Sequence, residues 1–247
     1  MGEQTLQAVV LHFVDYRESD RIVTVFCREL GKISGRARGA RKSVNRFPGR
    51  MDLFTRYLLV VGTGRGAPSF ERADLVDAHF GLRQDLHRLA WASVLVELTD
   101  QLFGEAEPHP IAFDTLVTAL KQLAAPEVRV ESVFRAELYL LREAGLLPQL
   151  GSCINCGREV GSGATFRFSP ARGGAICSPC NPHDEGLVVN PGTLKLLEMS
   201  TLLPDERVAH LIFSEEARVQ GRRILHTFLK YHVREGMKSL SFLESLE

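Results

Sequence analysis

The chain has 247 residues, 45% of them hydrophobic and 24% charged, an ordinary globular composition that excludes disordered and collagen-like classes and suffices for one large or two modest domains. Its 30 basic and 30 acidic side chains cancel, and apolar runs such as Leu58 to Val61 fall far short of the roughly 20 residues a membrane helix needs, so no membrane partner is expected. MGEQTLQAVV has no basic region ahead of an apolar run, and Gly2 lacks the Ser or Thr that myristoylation needs; a cytoplasmic, nucleoid-associated location is expected, with the five cysteines as thiols or metal ligands.

Residues 5–80 read as short β-rich runs. TLQAVVLHFV (5–14) and RIVTVF (21–26) are rich in β-branched and aromatic residues, and the polar DYRESD between them makes a hairpin. Further strands are expected from Lys32 to about Ala40, at FTRYLLVV (54–61) and at SFERADLVDAHF (69–80). Five strands in so few residues favour a small closed barrel, because closure removes unpaired edges; the oligonucleotide-binding (OB) barrel, which binds over strands two and three, is the candidate.

The charge pattern singles out residues 31–50 on that third strand and the loop after it. Lys32, Arg36, Arg38, Arg41, Lys42, Arg46 and Arg50 stand there without one Asp or Glu, and setting them aside leaves 23 basic against 30 acidic side chains, or −7. On an extended strand Arg36 and Arg38 share a face about 6.6 Å apart, a rail suited to a phosphate backbone, and Gly35 and Gly39 allow another backbone close. A solvated basic hairpin is the plainer alternative. Phe47, Phe54, Tyr57 and Phe70 are candidates either for base stacking or for the core.

After Gly81 the period becomes helical. Trp91, Leu95, Leu98 and Leu102 mark a helix over about 84–103, a second is expected from Ile111 to Leu123, and a third from about Glu131 to Ala144, with Gly145 as its left-handed cap and Pro148 beyond. Residues 149–187 lose periodicity. Helices restart at Asn190-Pro191 and at Ser214, the latter running to about Arg234, and KSLSFLESLE is a short helix or tail. The expected class is α+β: a five-stranded OB barrel at 1–80, then a helical domain at 81–247 with an inserted zinc module at about 149–187.

That module follows from Cys153-Ile-Asn-Cys156 and Cys177-Ser-Pro-Cys180, two C-x2-C knuckles twenty residues apart, a spacing typical of tetrahedral zinc sites. Four thiolates leave no position for water or substrate, so one structural Zn2+ is expected, supplying folding energy that the polar segment between the knuckles lacks. A redox pair would need a strand before and a helix after the C-x2-C, and no such strand precedes Cys153. His183 is read as a loop residue and Cys27 as a small core residue.

No catalytic set emerges. Gly62-x-Gly64-x-x-Ala67 is followed by Pro68 and an alternating run rather than a helix, so it reads as a turn; P-loop, H-E-x-x-H and G-x-S-x-G patterns are absent. Asp15, Glu18 and Asp20 sit interleaved with Arg17 and Arg21, as turn and ion-pair chemistry rather than a nuclease metal cluster.

VVLHFVDYRESDRIVTVFCRELGKISGRARGARK, AELYLLREAGLLPQLGSCINCG, FSPARGGAICSPC and RRILHTFLKYHVREGMKSLSFL together resemble the RecO family of bacterial recombination mediators over nearly the whole length. The resemblance implies an OB barrel, a helical domain carrying the zinc module, and no enzymatic activity. It further implies binding of single- and double-stranded DNA, annealing of complementary strands, and partnership with RecR and SSB so that RecA is loaded on SSB-coated gaps. Arg135 and Arg142, beside the Phe134/Leu138 face, are candidates for the SSB tail or for plain helix surface. Rival readings are a zinc-containing DNA-processing enzyme such as a nuclease, and a protein-only adaptor whose basic arm docks on an acidic partner.

Overall fold

The computed structural model describes residues 2–63, 68–183, 185–208, 210–233 and 236–246; the turn read at 64–67 and the helix end at Arg234 lie outside them. The β-branched runs form β1 (Gly2–Tyr16), β2 (Asp20–Cys27), β3 (Gly31–Ala37), β4 (Arg56–Thr63) and β5 (Ser69–Asp77). They close in the order β1-β2-β3-β5-β4, with β4 pairing back to β1. The long first strand achieves this closure: Gly2–Val9 pair with β4 and Ala8–Tyr16 with β2, and a register shift between Val10 and His12 bends it. A short parallel contact, Arg36 to Ser69 and Ala37 to Phe70, seals β3 against β5. This is the OB topology.

Alternate residues point inward, so Leu6, Val10, Val23, Val25, Cys27, Tyr57, Leu59 and Phe70 fill the barrel. Gly35 is required there, since a Cβ would lie 2.5 Å from the Phe70 ring. Burial raises the Cys27 thiol well above its usual range, as expected of an inert core residue.

The third strand stops at Ala37, three residues before the expected Ala40, because Gly39 turns the chain with φ +76° and its N–H is captured by the Asp20 carboxylate at 2.9 Å. Residues 38–54 then form a strap across the barrel rather than a free arm. Phe47 and Met51, both 0% exposed, enter the barrel core. Tyr57 Oη donates to the Pro48 carbonyl (2.7 Å), Arg21 to the Arg50 carbonyl (2.6 Å) and Ala73 N–H to the Arg46 carbonyl (2.9 Å). These contacts hold Arg50 (φ 57°) and Met51 (φ 55°) in the left-handed region, which costs about 1–2 kcal/mol per non-glycine residue.

Packing divides the chain into two compact units, 1–128 with 238–247, and 129–237. In the first, Phe26 faces away from the barrel interior and meets Phe103 and Phe113 at 5.4 and 6.3 Å, docking α1 (Leu86–Leu102) and α2 (Pro110–Ala124). α1 buries far more than one stripe, with Trp91, Leu95 and Leu98 joined by Ala92, Val94 and Val96. Glu97 accepts from the first backbone N–H groups of the C-terminal helix Lys238–Glu244.

The second unit contains α3 (Val130–Glu143), α4 (Pro191–Leu202), α5 (Asp205–Val208) and α6 (Glu215–His232); the C-terminal helix Lys238–Glu244 becomes α7. Asn190 caps α4 by accepting from Gly192 N–H, Ser214 caps α6 by accepting from Ala217 N–H, and Gly145 ends α3 at φ +73°. The aperiodic segment holds strands the hydrophobic pattern did not reveal: β6 (Phe166–Ser169), β7 (Gly174–Cys177) and β8 (Leu187–Val188) form a small sheet, anchored where Phe168 meets Phe228 at 6.2 Å.

Candidate nucleic-acid face and metal centre

The seven cations divide by what their side chains touch. Lys32 on β3 is held by Asp100 of α1 (Nζ to Oδ1, 3.1 Å) and is largely covered. Arg36 is clamped by Asp20 of β2 through two hydrogen bonds of 2.6 and 3.0 Å. Hydrogen bonds from the Arg36 guanidinium and the Gly39 N–H pull the Asp20 carboxyl down to about 2. Arg41 reaches Asp15 at 3.4 Å and the carbonyls of Arg17 and Glu18, and Arg46 donates to the Glu71 carbonyl at 2.8 and 3.1 Å. Arg38, Lys42 and Arg50 face solvent, and among the described residues no carboxylate pairs with them. The expected rail of Arg36 and Arg38 on one strand face is therefore corrected. Arg38 lies beyond the end of β3, and its neighbour is oriented by a carboxylate.

Of the two roles open to the aromatic candidates, the structure gives the core. Phe47, Phe54, Tyr57 and Phe70 are all buried, at 3% exposure or less, so none offers a face to a base. Pattern reasoning passed over Tyr16, the last residue of β1, which is 38% exposed with the Arg17 and Arg36 guanidinium carbons each 5.3 Å from its ring centroid. The readable signal was its place on the outward alternation just before a charged turn. Asp15 pairs with Arg21 and Arg41, and Asp20 with Arg36, so the acidic residues of that turn are engaged by arginines. Arg135 and Arg142 bracket the Tyr139 ring at 4.6 and 4.0 Å and lean on carbonyls at the end of α4, a helix-to-helix contact.

The four cysteines converge. Cys153, Cys156, Cys177 and Cys180 bring their sulfurs within 4.8 Å of one another, with Cys156 to Cys177 at 3.6 Å. Thiolates on a tetrahedral ion at about 2.3 Å lie roughly 3.8 Å apart, so the cluster fits such an ion with little adjustment. β7 delivers Cys177, a turn of 3-10 helix delivers Cys180, and the loop before β6 folds back through Ile154 N–H to the Ala175 carbonyl (2.9 Å) to bring the first knuckle alongside. Burial raises the Cys153 thiol, but N–H groups of Cys177, Cys156 and Asn155 aimed at its sulfur outweigh this and bring it down to about 6. Hydrogen bonds with the neighbouring Cys156 and Cys177 thiols, together with burial, push Cys180 up to about 12. His183 lies exposed outside the cluster.

A closed OB barrel followed by helices that carry a four-thiol centre defines a multidomain OB-barrel protein with a cysteine module. The family model described as Recombination protein O N terminal matches residues 1–79, and that described as Recombination protein O C terminal matches residues 83–241. The chain belongs to this DNA repair and recombination family. It is 36% identical to the DNA repair protein RecO of Myxococcus xanthus (strain DK1622), covering 96% of this chain and 95% of that protein. Similar relatives of the same name come from Anaeromyxobacter dehalogenans (strain 2CP-C), at 36% over 100% of this chain and 98% of that protein, and from Symbiobacterium thermophilum, at 32% over 100% and 98%.

Proposed function

We propose that the protein is a recombination mediator that binds single- and double-stranded DNA and anneals complementary strands. With RecR it helps load RecA onto SSB-coated single strands in the cytoplasm. The observation that carries the DNA-binding part is the set of solvent-facing cations on the strap, Arg38, Lys42 and Arg50, with no carboxylate partner among the described residues. Arg36, Arg41, Arg46 and Lys32 are the remaining DNA-contact candidates; of these Arg36 and Arg41 keep exposed guanidinium surface beside the first group, whereas Lys32 is committed to α1. Cations without counter-charges neutralise phosphates and release condensed ions, and the same charge lowers repulsion between two strands held on one surface. Annealing breaks no covalent bond, so no catalytic residue is required. The assignments to RecR, SSB and RecA rest on the family alone.

One structural Zn2+ on Cys153, Cys156, Cys177 and Cys180 is the metal the donor set favours, since soft thiolates in tetrahedral array select zinc and leave no open position. The first test is a gel shift of wild type against Arg38→Glu/Lys42→Glu on single- and double-stranded DNA, run with a zinc- or magnesium-supplemented cleavage assay. The expected result is a loss of at least tenfold in affinity on both DNAs with intact product. Unchanged binding by the variant removes the assigned surface, and cleaved product favours the nuclease reading.

A further inference from the structure

The outer face of β1, β2 and β3 has an apolar floor inside a ring of charge. The pairing register sets Val14 opposite Ile22 and Ile22 opposite Arg36, with Tyr16 opposite Asp20 one step nearer the turn. Val14, Ile22 and Tyr16 are 52%, 42% and 38% exposed, a cluster of large apolar side chains left in water beside the basic strap. Within residues 15–21 and 36–42 the sequence has six cations (Arg17, Arg21, Arg36, Arg38, Arg41, Lys42) and three carboxylates (Asp15, Glu18, Asp20), of which Arg21 and Asp15 pair on the opposite side of the strands, where Arg21 packs over Phe13. Asp15 and Asp20 are already engaged by arginines, leaving Glu18 as the acid of the turn without an ion pair among the described residues.

Two features prepare Tyr16 for a planar ligand. Its backbone is paired opposite Asp20 at the end of β1, and two guanidinium groups lie over its ring, each 5.3 Å from the centroid. Asp20 holds Arg36 by two hydrogen bonds along one edge, which orients that guanidinium over the ring. A ring that already takes guanidinium groups over its face, with apolar side chains alongside, matches what unpaired bases need: a π face on which a base takes the place of a guanidinium, and cations that then turn to the phosphates on either side.

We propose that Tyr16 is a base-stacking platform on the β1–β2–β3 face, so that this face binds single-stranded nucleic acid through its bases as well as its phosphates. A duplex hides its base faces and engages only the charges. The proposal rests on the reading of the barrel as a DNA-binding surface and adds a residue and a strand preference to it.

The test is fluorescence anisotropy of the full chain with three labelled oligonucleotides of equal length: a single strand, a duplex, and an abasic single strand that keeps phosphates without bases. Tyr16→Ala should weaken the ordinary single strand by about five-fold or more. It should leave the duplex and the abasic strand within two-fold, and Tyr16→Phe should behave as wild type. An equal loss on the abasic strand, or no loss on any strand, overturns the platform. Arg38→Glu separates the two readings: weakened binding by Arg38→Glu with none by Tyr16→Ala overturns the platform and leaves the DNA-binding surface standing. A wild type that binds no oligonucleotide overturns both. Should Tyr16→Ala fail to fold, Tyr16→Trp serves instead. Its emission, read over the buried Trp91, should be quenched by the ordinary strand and not by the abasic one, and the absence of quenching overturns the proposal.

Discussion

Glu137 on α3 is 0% exposed, and neither carboxylate oxygen has a hydrogen-bond partner among the described residues. Burial raises its carboxyl from the ordinary 4.5 to about 8, against the opposing pull of the Arg222 charge on α6. The folded chain therefore keeps a proton that the unfolded chain releases near 4.5, so this stabilising contribution is full below that pH and is lost as pH rises through about 8. Glu137→Gln should flatten the slope and gain on the order of 1–3 kcal/mol at pH 8 relative to wild type. Urea unfolding at pH 5 and pH 8 reads this directly, and parallel curves for the two proteins would show that Glu137 does not control the slope. Nothing in the helical period marks Glu137 as special; α3 reads as amphipathic, and only the packing of α6 over it shows that an acid lies inside.

Among the elements, the cysteine module and the strap show opposite relations between sequence and structure. Both C-x2-C knuckles were legible because four ligands in two short spacings constrain local geometry whatever surrounds them. The sheet that carries them was not, since strands of four, four and two residues are too short to show a period. Removing the metal, or replacing Cys177 by Ser, should expose residues 149–187 to rapid amide exchange while the barrel keeps its protection, because the polar loop has little apolar burial of its own. Elemental analysis should find about one zinc per chain in protein purified without chelator, and none in the Cys177→Ser variant. The strap reads in sequence as a basic loop because its charge pattern is conspicuous, whereas Phe47 and Met51, which tie it into the barrel, are isolated apolar residues in a polar run.

Across the whole molecule, the number of unpaired cations sets how steeply DNA binding responds to salt. Single-strand affinity falls with a log–log slope near −0.7 per neutralised phosphate, so Arg38, Lys42 and Arg50 alone predict about −2, and all seven cations about −5. Anisotropy titrations between 50 and 200 mM salt should give a value near the shallower limit; a slope near −5 would mean that Lys32, Arg36, Arg41 and Arg46 exchange their protein partners for phosphate. The barrel topology, the main helices and their caps at Asn190 and Ser214, and the four-thiol cluster were determined by the sequence itself. Alternation, capping chemistry and ligand spacing act between residues close along the chain. Tertiary structure alone decided which charges are free and which ring is exposed. Arg36 meets Asp20 and Lys32 meets Asp100 across 16 and 68 residues, and Tyr16 stays in water while Phe47, Tyr57 and Phe70 are enclosed. A charge or an aromatic ring carries no local mark of its partner, so its availability exists only once the strands have closed and the strap has been laid across them.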